Sequence, residues 1–242
     1  MTKLSCVTWN IHRAKGQDGR KDPDRVLSAI ESAILPHRPA ILALQEADEE
    51  CRPHRRIIDV SKIADMTGLD YVHDRPDLRW GSDSDGFLGT ILFLHPKMQR
   101  LHADVIDLPG HCHRGAISVE TLIEGRTCRI MSTHLSLSQP LRMIQMRIIG
   151  QYIRRRPKMQ TIILGDLNEW RPWGGLAFSP KIFGATLRGP ARATFPTRRA
   201  LLPLDRILTT PPGQVARATS INHPATNMAS DHRPLLGEVT VA

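Results

Sequence analysis

Short apolar runs that end in polar residues recur along this chain, and the clearest is Thr161–Asn168. This run is brief, uninterrupted and rich in β-branched residues, which favours a buried strand. Side chains alternate along an extended chain, so Asp166 and Asn168 are expected to point the same way at its carboxyl end, with Leu167 turned toward the core. A carboxylate beside an amide at a strand end predicts a functional site.

Four other segments follow the same pattern. They are Leu4–Trp9 followed by Asn10 and His12, Ala40–Leu44 followed by Gln45 and Glu46, Pro203–Leu208 with Asp205 inside it, and Ser230–Pro234 ahead of the strand-like Leu235–Val241. An acidic side chain beside core positions is costly unless it is paired or bound to a metal. The sequence therefore predicts a partner for these carboxylates.

The 242 residues fit one domain that spans 1–242, because no linker or solenoid repeat interrupts them. Helical spacing of apolar residues predicts helices over 22–34, 57–67 and 140–155, the first beginning at Asp22-Pro23 and the second ending at Gly68. Further strands are expected over 87–94, 100–107, 116–123 and 128–133, with a hairpin turn at Gly125. Strands outnumber helices, which favours packed sheets with helices on their outer faces.

The formal charge is +9, and arginine clusters such as Arg154–Arg156 and Arg198–Arg199 supply much of it. Guanidinium groups bind phosphate oxygens, so a phosphate-bearing partner is one explanation. A solvated basic surface is the other, and it fits equally well. Aromatic residues make up only 5% of the chain, which argues against an extended platform for base stacking.

Neither a secretory signal nor a run of about eighteen apolar residues is evident, so we expect a cytoplasmic monomer with no transmembrane segment. The four cysteines lack CxxC spacing, and we expect them to be reduced. His111, Cys112 and His113 could suggest zinc. No second ligand pair has metal-site spacing, however, and a loop with ordinary histidines is favoured.

Six short motifs occur in a recognisable order: Trp9–His12, Leu44–Glu46, Ser132–Leu135, Gly165–Asn168, Leu204–Asp205 and Ser230–Pro234. Over essentially the whole chain this set resembles the endonuclease/exonuclease/phosphatase superfamily, in particular its bacterial phosphodiesterase- and sphingomyelinase-like branch. The resemblance implies an α/β fold of four layers, an α/β/β/α sandwich with two mixed sheets. It also implies hydrolysis of phosphate esters with a divalent cation, usually Mg²⁺, for which Mn²⁺ can substitute.

The resemblance implies that Glu46 is the principal metal ligand, with Asn10 and Asp231 nearby. Oxygen ligands of this kind suit Mg²⁺, which keeps several waters and is held by one or two carboxylates plus substrate phosphate. A structural salt bridge at Glu46 is the alternative.

The resemblance also implies catalytic roles. Asp166 would orient and deprotonate the attacking water, and Asn168 would hold the phosphate and that carboxylate. His232 would hydrogen-bond a phosphate oxygen while Asp205 pairs with its other nitrogen. The alternative is an Asp205–Arg206 pair with His232 packed in the core.

By the same resemblance, His134 is a phosphate contact or a leaving-group acid, with a structural histidine as the alternative, and Arg114 lies near the site. The abasic-site repair branch has a tyrosine and an asparagine where this chain has His134 and Leu137, so that activity is not expected. Gly89-Thr90 departs from a Gly-Asn pair found in many relatives, which indicates different substrate contacts.

These observations favour a phosphoesterase that uses metal-assisted in-line attack by water. Nucleic acid, a phospholipid head group and a small phosphoester all remain open as substrates. A catalytically silent, basic nucleic-acid-binding module is the non-enzymatic alternative.

Overall fold

The chain forms two β-sheets in a computed structural model that describes residues 1–110 and 114–242. In chain order the strands are β1 (Thr2–Asn10), β2 (Ile41–Gln45), β3 (Asp70–Tyr71), β4 (Ile91–Leu94), β5 (Gln99–Leu108), β6 (Arg114–Ile123), β7 (Arg126–His134), β8 (Gln160–Asp166), β9 (Asp205–Thr209), β10 (Gln214–Ser220) and β11 (Leu235–Val241). The predicted His111–His113 loop lies outside the described residues.

Both sheets are mixed. The larger has the order β10-β11-β1-β2-β4-β3 and the smaller the order β5-β6-β7-β8-β9. Each contains one parallel pair, β1 with β2 and β7 with β8, among antiparallel neighbours. Adjacent parallel strands end at the same edge of a sheet, so each parallel pair delivers the residues at its carboxyl ends to one place.

Helices cover the outer face of each sheet. They are α1 (Pro23–Ala29), α2 (Val60–Thr67), α3 (Gln139–Arg154), α4 (Pro180–Phe183) and α5 (Pro224–Ala229). Within the described residues, no helix is long and apolar enough to span a membrane.

Three apolar cores separate the four layers. The central core lies between the sheets and contains Ile130 and Val239. A second packs α1, α2 and α5 on the larger sheet around Trp9, and a third packs α3 and α4 on the smaller sheet around Phe183. The predicted four-layer α/β/β/α sandwich is confirmed.

Several element boundaries differ from the sequence prediction. Asp22 caps α1 by accepting a hydrogen bond from the Arg25 amide, as predicted, but helical winding continues past Pro36 as a π-turn and a short 3₁₀ turn to His37. Helix α2 begins three residues after Ile57, because the Asp59 carboxylate caps it at Ser61 and Lys62.

Strand β4 is also shorter than predicted. It begins at Ile91 because Leu88 and Gly89 adopt positive φ angles of 53° and 78°. These residues form a tight turn in which Phe87 and Thr90 bond each other's backbone. The Gly125 hairpin is confirmed, with Ile123 opposite Arg126.

The buried His73 predicts a pH dependence of stability. Its Nδ1 lies 2.7 Å from the Leu78 carbonyl oxygen, and burial lowers the pKa of His73 to about 4. The unfolded chain takes up this proton at a higher pH, so the stability is complete above the unfolded pKa and is lost as pH falls toward the folded one. We expect about 2 kcal/mol of unfolding free energy to disappear between pH 7 and pH 5.

Urea denaturation at both pH values measures this loss, with His73→Gln as the comparison because glutamine does not titrate. The variant should show a smaller loss on acidification than the wild type. An equal loss in both proteins would assign the pH dependence to other groups.

Gly165 has no room for a side chain where β8 passes β7. It has φ 146°, and a Cβ there would lie 1.9 Å from the Thr133 carbonyl oxygen. We expect Gly165→Ala to cost more than about 3 kcal/mol, because strand backbone must move. In the control Gly125→Ala, nothing lies within 4 Å of the added Cβ, and the left-handed backbone alone should cost about 1 kcal/mol. Similar urea midpoints for the two variants would contradict the steric argument.

Candidate active site

The carboxyl end of β8 places three polar residues in one row of the smaller sheet. Asp166 lies opposite His134 on β7 and opposite Asp205 on β9. In the larger sheet, Asn10 lies opposite Gln45, and Glu46 follows directly. The two sheets meet here, where Asn10 Nδ2 donates to Asp166 Oδ2 over 3.0 Å. Strand register therefore brings together residues that are far apart in the chain.

Asp166 is the centre of this cluster. It is buried, its Oδ1 accepts from the Asn168 amide at 3.1 Å, and its Oδ2 lies 3.4 Å from His134 Nε2 and 3.8 Å from His232 Nε2. Burial raises the pKa of Asp166 to about 6, against the opposing charge of His232. The carboxylate is thus more basic than an ordinary aspartate, as a proton acceptor for water must be.

His232 and Asp205 form a buried pair. Their Nδ1 and Oδ2 atoms lie 2.8 Å apart, and the Thr194 hydroxyl donates to the same oxygen at 2.5 Å. Burial alone disfavours the charged ring, but Asp205 and Asp166 outweigh it and raise the pKa of His232 to about 10. The imidazole is therefore protonated at neutral pH, with its Nε2 turned toward Asp166.

The alternative pairing of Asp205 with Arg206 is absent among the described residues. The Arg206 guanidinium instead donates to the backbone carbonyls of Glu169, Arg171 and Pro203. Asp205 is left to His232, as the resemblance implies.

Asn168 and His134 lie on the other side of Asp166. The Asn168 amide donates to the Leu135 carbonyl at 2.9 Å and contacts His134 Nε2 at 3.2 Å. Burial, with Arg114 nearby, lowers the pKa of His134 well below its ordinary value, so the ring is neutral and its Nε2 can accept. The site therefore holds one charged and one neutral histidine.

The predicted conformation of Asn168 is wrong, although its location is not. Asn168 has φ 51°, so it is left-handed and does not continue an extended strand. The strand ends at Asp166, and the Leu167 amide bonds the Leu204 carbonyl instead. Asn168 meets Asp166 through this turn and not through side-chain alternation.

Glu46 places a carboxylate oxygen beside Asn10, and Asp231 lines the same pocket. Glu46 Oε1 accepts from Asn10 at 3.3 Å, and Glu46 Oε2 lies 2.8 Å from the Arg13 guanidinium. Asp231 Oδ1 is buried, and within the described ranges it has no hydrogen-bond donor; His12 Nδ1 lies 3.5 Å from it. An oxygen-only donor set with an unsatisfied carboxylate oxygen fits a hard divalent cation.

A second trio, Asp166, Asp205 and His232, also has ligand atoms within 4.8 Å of one another. The 2.8 Å separation of His232 from Asp205 is a hydrogen-bond distance. These three residues are better described as a proton-holding group, which leaves Glu46, Asn10 and Asp231 as the candidate cation ligands.

An open cavity of about 350 Å³ lies over the cluster. Every predicted site residue except Asp205 lines it, including Arg114, together with the hydrophobic residues Leu137, Trp170, Phe195, Leu202 and Leu204. Asp205 lies behind His232 and touches the cavity only through that ring. The structure thus gathers the predicted residues around one pocket with room for a phosphoester.

Sequence reasoning did not identify Arg13, Thr194 or Trp170. Arg13 contacts Glu46 from a turn in which His12, Arg13 and Ala14 all have positive φ, and no residue type in the turn signals this conformation. Thr194 lies on a loop eleven positions before Asp205. Trp170 alone had a signal, since it is a large aromatic residue two positions after Asn168.

Comparisons with known structures show the same fold at low sequence identity. An endonuclease/exonuclease/phosphatase from Bacteroides vulgatus superposes with a TM-score of 0.76 at 16% identity, covering 100% of both chains. Human Nocturnin's catalytic domain with bound sulfate gives 0.73 at 21%, covering 99% of this chain and 95% of that one. D. rerio TDP2 complexed with a single-strand DNA product gives 0.72 at 17%, covering 100% of both.

A search of the curated proteins finds no match. The family model described as "Endonuclease/Exonuclease/phosphatase family" matches residues 7–232. This range contains strands β2 to β10 and the second half of β1, but not β11, and it contains every residue of the pocket described above. The chain belongs to the endonuclease/exonuclease/phosphatase family.

Proposed function

We propose that this protein is a divalent-cation-dependent phosphoesterase that hydrolyses its substrate by in-line attack of water. The observation that carries the proposal is a basic carboxylate beside a charged imidazole on one pocket floor, with Asp166 and His232 3.8 Å apart. A proton acceptor and a cationic donor at this spacing can serve the two sides of a phosphoryl transfer.

Asp166 is the water-activating group in this proposal. Its Oδ1 is held by the Asn168 backbone amide, which leaves Oδ2 facing the pocket among Asn10, His134 and His232. An orienting carboxylate with a raised pKa both positions a water and accepts its proton. Positioning matters here, because phosphoryl transfer depends on alignment and charge neutralisation more than on covalent chemistry.

His232 donates to a non-bridging phosphate oxygen in this proposal. Asp205 and Thr194 fix its ring through Nδ1, and the Trp9 indole bonds the His232 carbonyl at 3.0 Å. Held on both sides, the ring presents a charged N–H without the cost of reorienting. This charge stabilises the transition state, in which the phosphoryl oxygens are most negative.

The cation is held by Glu46, Asn10 and Asp231 in this proposal. When bound, it neutralises charge on the phosphate, and Mg²⁺ or Mn²⁺ suits the oxygen donors. Arg114 and His134 also line the pocket, where a guanidinium and a neutral imidazole can bind the remaining phosphate oxygens.

The net charge of +9 supports a substrate that is an anionic polymer or is part of an anionic surface. The fold shared with a TDP2 that was crystallised with a DNA product supports a nuclease, and the hydrophobic residues at the pocket mouth support a lipid. The chemistry proposed above is common to both.

Replacing Glu46 tests the cation site. We expect hydrolysis of bis-p-nitrophenyl phosphate to require Mg²⁺ or Mn²⁺, to stop with chelator, and to fall at least about a hundredfold in Glu46→Gln. The control is Glu49→Gln, because the Glu49 side chain is 43% exposed and pairs with Lys21. Titration calorimetry with Mn²⁺ should show weaker binding only for Glu46→Gln. A folded wild type without cation-dependent hydrolysis would instead support the silent nucleic-acid-binding module.

Asp166→Asn and His232→Gln test whether these two residues act in catalysis without binding the cation. Both should lose at least about a hundredfold in kcat, yet both should bind Mn²⁺ within a fewfold of the wild type, since neither is a proposed ligand. Calorimetry and hydrolysis on the same preparations separate the two effects. Loss of Mn²⁺ binding in His232→Gln would move the cation to the Asp166, Asp205 and His232 trio.

A further inference from the structure

Three loops around the pocket mouth carry large apolar side chains that face solvent. We define the apolar rim as Leu137, Trp170, Trp173, Leu176, Leu201 and Leu202, whose relative exposures are 76, 53, 76, 56, 65 and 37%. These are six of the ten exposed large hydrophobic residues in the described ranges. Scattered exposed hydrophobics are ordinary, but a cluster beside a pocket indicates an interaction surface.

Buried arginines hold the rim loops in place. Arg142 donates to the Leu137 carbonyl at 2.6 Å and contacts Glu169 at 3.4 Å. Glu169 also binds Arg171, and Arg206 donates to the Arg171 carbonyl at 2.7 Å. Buried charges of this kind are costly unless well paired, and here their pairing joins the Leu137 and Trp170 loops. The rim is therefore a preformed surface and not a set of unsupported loops.

Positive charge borders the rim. Arg198 and Arg199 occupy a short 3₁₀ turn just before Leu201, inside a loop closed by backbone bonds between Phe195 and Leu202. Both side chains are exposed, and neither has an ion-pair partner in the part of the chain that the structure describes. An exposed apolar residue beside unpaired guanidinium groups complements an anionic interface with an apolar interior.

The composition of the rim favours lipid over nucleic acid. Four of its six members are leucines, which partition into acyl chains and do not stack on bases. Of the two tryptophans, Trp170 has the Arg171 guanidinium over its ring at 5.3 Å, so that face is already covered. A single-stranded nucleic acid would need free aromatic faces, whereas an interfacial tryptophan needs only to be near the head groups.

We propose that the apolar rim docks the pocket mouth onto an anionic lipid surface, so that a phospholipid head group enters the pocket. Arg198 and Arg199 bind lipid phosphates while Trp173 and Leu201 enter the boundary between head groups and acyl chains. Hydrolysis of that lipid depends on the phosphoesterase proposed above, but docking itself does not. Docking requires neither the cation nor the catalytic residues.

Vesicle sedimentation with chelator present tests the docking alone. The wild type should bind vesicles of equal phosphatidylglycerol and phosphatidylcholine, and bind pure phosphatidylcholine more weakly. Leu201→Ser combined with Trp173→Ala should weaken binding about tenfold or more, because two inserted side chains are removed. Neither residue lines the pocket, so hydrolysis of bis-p-nitrophenyl phosphate should remain at the wild-type rate.

The matched control is Leu101→Ser, which removes a leucine that is 49% exposed on β5, outside the rim. It should bind vesicles as the wild type does. Absence of binding to anionic vesicles, or equal weakening by Leu101→Ser and by the double variant Leu201→Ser with Trp173→Ala, would overturn the proposal. So would rim-dependent binding of a fluorescent oligothymidylate without vesicle binding, since the partner would then be nucleic acid. Rim-dependent vesicle binding by a protein that hydrolyses no ester supports docking while overturning the hydrolase.

Discussion

The hydrogen bond between Asn10 and Asp166 joins the two sheets at the floor of the pocket. The sheets also meet through an apolar core, in which a buried carboxylate would be costly. Asp166 is tolerated because Asn10, the Asn168 amide and His232 surround it. The relative position of the two sheets and the composition of the site therefore depend on each other. A shift of one sheet against the other would leave the buried Asp166 carboxylate without its partners.

Much of this arrangement could be predicted from the sequence. Apolar runs that end in polar residues located Asn10, Glu46 and Asp166 at strand ends, because core burial and strand alternation leave a clear pattern. The order of the motifs then indicated that His232 pairs with Asp205. No local pattern could indicate this pair, since the two residues are 27 positions apart.

What could not be predicted depends on backbone geometry and long-range packing. Leu88 adopts positive φ, which ordinary propensities do not favour in leucine. Asn168 does so too, and although asparagine tolerates this conformation, the apolar run before it indicated a continued strand. Arg142 and Arg206 are almost fully buried, although arginine in a basic chain predicts solvent exposure. Their partners are mostly backbone carbonyls, which carry no sequence signature. The apolar rim could not be predicted from the sequence either, because its three loops become adjacent only after folding.

Strand order has a consequence for biosynthesis. Strand β1 lies between β2 and β11, and its Trp9 bonds His232, 223 positions away. Until β11 leaves the ribosome, β1 has one unpaired edge, and Asn10 has no Asp231 or His232 beside it. Long-range pairing of this kind is slow to form. The same pairing completes the sheet and the pocket, so a nascent chain cannot assemble the pocket before its fold closes.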